Sequence, residues 1–293
     1  MTEGTAIFTF DHQHLVAFGW SVLRLSAWFF LLSMLFLPLE RLFSVHRRRF
    51  LARRLPGDVV YFFISGMVPG LLLAPPMALA ATLAQQVIPH ALPEAVATLP
   101  LWLRALSALV VSEVGFYWGH RLAHQIPFLW RFHAIHHEPT EVYFLISARA
   151  HPIDNAFIRL CGLIPVSVLG LATPLTPAGG AVSALVVLVI TMWGFLIHAN
   201  LRWRFGPIEG VIATPAFHHW HHTLSGPVDR NYASMLPLMD LLFGTYYLPR
   251  HDWPASYGIA APLPQSVLGQ LLHPFRPHPA DPLPTAPTAN PQA

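Results

Sequence analysis

A single cysteine, no lysine and few charges of either sign bound what this 293-residue chain can be. The lone Cys161 excludes an internal disulfide, a thiolate metal cage and a cysteine-ligated iron–sulfur cluster within one chain. Charged residues make up 11% of the sequence, against roughly 25% in soluble domains. Hydrophobic residues make up 54%, and the mean hydropathy is positive. Too little polar material remains to cover a water-soluble surface, so a membrane protein is expected and intrinsic disorder is excluded. There is also no glycine-rich dinucleotide fingerprint after an expected strand, and no haem-attachment motif.

The net charge of +3 gathers at Arg41, Arg47, Arg48, Arg49, Arg53 and Arg54, a juxtamembrane pattern that argues against a nucleic-acid partner. Basic residues that are all arginine suggest GC-rich bacterial coding. An apolar run over residues 15–39 suits the roughly 20 residues needed to span hydrocarbon, and without a basic leader or cleavage site it reads as a retained anchor. A second run, 59–88, is interrupted by Pro69, Pro75 and Pro76 and is either a kinked span or two half-spans. Further runs cover 101–118, 156–172 and 179–197, the last two joined by a Thr173–Pro177 breaker that suggests a hairpin.

The arginine distribution places the 41–54 segment in the cytoplasm and the arginine-free 85–100 connection outside. The expected organisation is an N-terminal transmembrane region (1–100), a catalytic domain (101–250) and a C-terminal segment (251–293). The tail from 275 to 293, rich in Pro, Ala and Thr, is expected to be disordered.

Against this scarcity of ionisable groups stand eighteen histidines. Three boxes recur at helical spacing: His120-Arg-Leu-Ala-His124, His133-Ala-Ile-His136-His137 and His218-His219-Trp220-His221-His222. Residues three and four apart share a helix face, so each box can present imidazoles to a metal. Eight such rings exceed what one four- or six-coordinate ion uses, which makes two metals the economical reading. An isolated histidine pair is as readily a hydrogen-bonding pair, but three boxes together are not. Haem would leave most of the cluster unexplained, and the boxes lack the carboxylates of Glu-x-x-His di-iron bundles.

His219 points about 100° from His218 and reads as a surface or outer hydrogen-bonding residue. Glu113, two helical turns before His120, is a functional candidate inside a span or else the partner of an arginine. Asp229 and Asn231 either accept the outer N–H of a ligand histidine or form a turn. Asp240 and the Phe243-Gly244-Thr245 run read as structural.

The boxes, in this order, resemble those of the sterol desaturase/fatty acid hydroxylase superfamily of membrane-bound, non-haem di-iron oxygenases. Arg149-Ala-His151-Pro152, His198-Ala-Asn200, Thr214-Pro215, Asp229-Arg-Asn231-Tyr232 and Asp240-Leu-Leu-Phe243-Gly244-Thr245-Tyr246 extend the resemblance over roughly residues 100–250. It implies an all-α fold of polytopic membrane helices under a cytosolic helical cap that carries a histidine-rich dinuclear site. It also implies that His120, His124, His133, His136, His137, His218, His221 and His222 ligate the metals, with His198 as a ninth ligand. Fatty acid 2-hydroxylases pair a histidine four residues on, where this chain has Arg202; His151 is then the candidate for a tenth ligand or an outer-shell residue.

The implied chemistry is reductive activation of O2 at two iron ions, with hydrogen abstraction from an apolar lipid to give an alcohol or a double bond. Electrons would come from an external NAD(P)H-linked donor, a ferredoxin or b-type cytochrome with its reductase, attracted by Arg121, Arg131, Arg202 and Arg204. Those arginines could equally hold anionic headgroups. Phe116, Tyr117, Trp193 and Phe195 are candidates to line the lipid's entry, or simply packing residues. The expected location is a bacterial inner membrane, crossed several times, with the histidines on the cytoplasmic side. A metal transporter, the main rival, would place ionisable groups in the middle of several spans, where only Glu113 stands. A noncatalytic lipid-binding or scaffold relative is the third reading.

Overall fold

The computed structural model describes residues 12–47, 54–171 and 177–276. Arg48, Arg49, Arg53, most of the Thr173–Pro177 breaker and nearly all of the Pro-rich tail lie outside the described residues. The helices are α1 (His12–Phe43), α2 (Leu55–Val87), α3 (Ala91–Ala97), α4 (Leu101–Gln125), α5 (Pro127–His137), α6 (Pro152–Val168), α7 (Pro177–His198), α8 (Pro215–His221), α9 (Leu238–Leu242) and α10 (Val267–Leu272). Among the described residues the only β-type pairing is an isolated bridge between Thr223 and Tyr257.

The protein is an all-α membrane protein. α1 and α2, at 32 and 33 residues, are each long and apolar enough to cross a bilayer. α2 runs unbroken through Pro69, Pro75 and Pro76, so the second apolar run is one helix and not two half-spans. α4 shows an exposed apolar stripe at every fourth residue, Trp102, Leu106, Val110, Val114 and Trp118, while Arg104, Glu113, Tyr117 and His120 are buried on its other faces.

α4 and α6 cross at close range because their contact is made by glycines. A Cβ at Gly115 would lie 2.0 Å from the Cys161 carbonyl oxygen, and one at Gly162 would lie 2.9 Å from that of Ser112. Small residues spaced by four let two helix backbones approach in this way. The crossing continues at Gly119, where a Cβ would meet the Cys161 side chain at 2.9 Å, and the next residue is His120. α6 packs on α4 and α2, whereas α7 packs on the 3-10 turn Phe144–Ala148, α4 and α8. The two helices of the expected α6–α7 hairpin thus have different principal neighbours, and the turn expected between them lies mostly outside the described residues.

One end of the bundle carries most of the buried polar construction among the described residues. α1 ends there with buried Glu40, which accepts the backbone N–H of Phe144 at 2.9 Å and of Asn200 at 3.0 Å. α2 begins there with buried Asp58, which pairs with Arg149 and accepts the Tyr143 hydroxyl. The boxes on α4, α5 and α8, and His198 at the end of α7, sit at the same end.

Candidate metal centre

Nine buried histidines form two adjoining groups in which the ligand-capable nitrogens lie within 4.8 Å of one another. One group is His120, His124, His133, His137 and His221; the other is His136, His198, His218 and His222. The division follows helix geometry. Residues four apart stay together, as in His120/His124, His133/His137 and His218/His222. Adjacent residues, about 100° apart, are split between the groups, as in His136/His137 and His221/His222.

The outer ring nitrogens are fixed by acceptors. Nδ1 of His120 donates to the Tyr232 carbonyl at 2.7 Å, that of His136 to Arg149 at 3.0 Å, that of His198 to Gly194 at 2.7 Å and that of His221 to Arg230 at 2.8 Å. A carbonyl only accepts, so these Nδ1 atoms carry the proton and each neutral ring turns its Nε2 lone pair inward. His136 and His198 then bring two such lone pairs within 3.2 Å with no proton between them. His124 Nε2, His218 Nδ1 and His221 Nε2 are buried without any hydrogen-bond partner.

Burial pushes His137, His218, His221 and His222 well below the ordinary imidazole range, and their mutual repulsion adds to the effect. His136 falls to about 4 for the same leading reason. Converging neutral imidazoles with orphaned lone pairs are a donor set for cations, and all-imidazole ligation suits iron, copper, nickel or zinc. The residues present fit the pair of iron ions that the resemblance implies.

The other candidates take different places. His151 is a member of neither group: its Nδ1 accepts the Ile153 N–H at 3.1 Å, capping α6, and its Nε2 donates to Leu271 O at 3.2 Å. In this arrangement His151 serves as a helix cap. His219 is fully buried, not a surface residue; its Nε2 donates to Ala199 O at 3.1 Å and its Nδ1 accepts the Tyr257 hydroxyl at 2.8 Å. It pins the strand of chain that follows His198.

Among the described residues Glu113 forms no ion pair with an arginine or a histidine. It accepts the Ser234 hydroxyl and the Met235 N–H, both at 2.7 Å, and the Leu236 N–H at 3.1 Å. Asp240 accepts the N–H groups of Tyr232 and Ala233. Together the two carboxylates hold the loop whose Tyr232 carbonyl orients His120. Asp229 is both turn and partner: its φ is 57°, and it accepts His124 Nδ1 at 3.2 Å. Asn231, at φ 59°, bonds Phe217 and Tyr247 backbone instead of a ligand ring.

Tyr117 and Phe195 are packed in apolar cores, and Trp193 donates to Ala213 O, so these three are packing residues; the ring centroids of Phe116 and His120 are 5.5 Å apart in an edge-on arrangement. Arg121 donates to the Tyr117 hydroxyl and Arg204 to Asp252 O, so both are engaged within the chain.

Asp154 is a residue that the spacing of the boxes does not reveal. One turn into α6, it accepts His133 Nδ1 at 3.0 Å while itself buried. Its only signal in the sequence is a carboxylate close to the second box in a chain with few. Arg149 has a similar supporting role. Its carbonyl orients His136, its guanidinium pairs with Asp58 and Glu138 and donates to Gln270, and Arg54 also pairs with Glu138.

Residues 105–245 match the fatty acid hydroxylase family. An ornithine lipid hydroxylase of Rhizobium tropici is 35% identical over 60% of this chain and 51% of its own. An alkylglycerol monooxygenase of Danio rerio is 32% identical over 55% of this chain and 33% of its own. A methylsterol monooxygenase of Arabidopsis thaliana is 28% identical over 50% of this chain and 55% of its own. The chain thus spans between a third and just over half of these relatives' lengths, and no solved structure matches it. The matched segment contains every histidine of the two groups, so the similarity to the fatty acid hydroxylase family rests on the residues that build the site.

Proposed function

We propose that this protein is a membrane-bound di-iron oxygenase that hydroxylates an aliphatic carbon of a bilayer lipid. The observation that carries the reading is the convergence of nine buried imidazoles, in a group of five and a group of four, with lone pairs that have no proton donor to meet. Iron ions held there would supply activation of O2 and oxidation of an unactivated C–H bond. The chain's own part is to fix the rings from outside through Tyr232, Arg149, Gly194 and Arg230 carbonyls, and to keep water away by burying the cluster. The named relatives act on ornithine lipid, alkylglycerol and methylsterol, which favours a substrate with a polar head and an extended apolar body.

The catalytic unit is residues 101–250, braced by Glu40 and Asp58 from the membrane helices. The arginines at 41, 47 and 54 flank the end that holds the histidines, which supports a cytoplasmic site in a multi-pass protein of a bacterial inner membrane. Electrons are supplied by an external ferredoxin or b-type cytochrome with its NAD(P)H-linked reductase.

The test is metal analysis of protein purified in mild detergent, followed by turnover with ferrous reconstitution, a reductase system, membrane lipid extract and labelled O2. Stoichiometric iron and label in a lipid hydroxyl are expected. No metal in the parent after anaerobic reconstitution would overturn the reading.

A further inference from the structure

We infer that Asp154 and Asp229 make the two metal positions unequal, so that the five-histidine group is the high-affinity position that fills first and the four-histidine group is the weaker, exchangeable one. The inference rests on the dinuclear reading above and concerns how the protein's own residues rank its two halves.

Both carboxylates that meet a ligand histidine serve the same group. Asp154 accepts from His133 at 3.0 Å and Asp229 from His124 at 3.2 Å, and both rings belong to the group of five. In the group of four, the outer nitrogens of His136 and His198 meet only carbonyl oxygens, and His218 Nδ1 meets nothing. Asp58 and Glu138 are already paired with Arg149 and Arg54, and Asp154, whose charge also reaches His136, makes its hydrogen bond to His133 of the other group.

A carboxylate on the far nitrogen raises the basicity of an imidazole ligand and adds a negative charge that a divalent cation feels across the ring, and a carbonyl does this less. One half therefore has one more donor and two formal negative charges behind it. The two acids differ in strength: the Asp154 side chain is 4% exposed, whereas that of Asp229 is 36% exposed and screened by solvent. Asp154 is the dominant positioning residue.

The experiment is an anaerobic titration of the metal-free, full-length protein in detergent with Co(II), whose visible bands are weak when five-coordinate and intense when four-coordinate. The first equivalent should give weak bands and the second intense ones. Asp154→Asn should weaken the first step by about 10–100-fold and leave the second in place. Asp229→Asn should act in the same direction by less.

Intense bands with the first equivalent, simultaneous filling, or equal weakening of both steps by Asp154→Asn would overturn the ranking. The parent titration decides this even if a variant fails to fold. Absence of Co(II) binding by the parent would instead remove the dinuclear reading itself.

Discussion

His136 and His137 are neighbours in the chain, yet their rings stand at 89° with centroids 5.2 Å apart and serve different halves of the cluster. Their replacement should therefore have different outcomes. His136→Ala is expected to retain the metal of the five-histidine half and release the other, while His137→Ala should lose affinity in the five-histidine half. Metal content per chain after equilibrium dialysis distinguishes them, and identical profiles would show that the split does not hold.

Arg149 supports His136 through its carbonyl, and among the described residues its guanidinium is the one cation that pairs with both Asp58 and Glu138. Arg149→Met leaves these acids without that cation, and loss of one partner from a buried pair costs about 3–5 kcal/mol. A lower thermal midpoint in detergent is expected, with partial recovery on adding Asp58→Asn. No recovery would mean that the charge imbalance is not the cause.

The third box should separate by position. His219→Ala removes the partners of the Ala199 carbonyl and the Tyr257 hydroxyl, each costing about 1–3 kcal/mol when left buried and unbonded. It should lower the melting temperature while keeping both metals. His218→Ala should reverse that pattern, and metal loss in His219→Ala would make it a ligand.

Acid should act first on the metal-free protein. In the unfolded chain His136 titrates near 6.5, and in the folded protein at about 4, chiefly because it is buried. Between these values the unfolded chain holds a proton that the folded one does not. Stability from this group is full above about pH 6.5 and falls by up to about 1.4 kcal/mol per pH unit towards pH 4. The other depressed imidazoles of α5 and α8 add to the same slope. Bound metal competes with protons for the same nitrogens and should move the transition to lower pH. Melting temperatures of the metal-free and loaded forms across this range check it; a flat metal-free profile would contradict neutral, buried imidazoles.

The boxes were legible because helical periodicity puts i and i+4 on one face, and His120/His124 and His133/His137 obey it. The division between the groups was not, since treating His133, His136 and His137 as one face ignores the 100° that separates adjacent rings. Asp154 and Glu113 were hard to read for the opposite reason. No helical periodicity links Asp154 to His133 or Glu113 to the 234–236 loop; only the tertiary fold brings each pair together. The spacing of His151 leaves a ligand and an outer role equally open, and its bonds to Ile153 and Leu271 are visible only in the fold.

His120 and His221 belong to one group, yet α5, α6 and α7 lie between them in the chain. The ligand shell is therefore completed by the last part of the catalytic segment to be synthesised. A nascent chain that has delivered α4 and α5 to the membrane holds only a partial shell, and full capture of metal must wait for the third box to emerge and dock. Metal occupancy in this protein is thus a record of finished assembly, and the fraction of chains that load should report insertion defects far from any histidine.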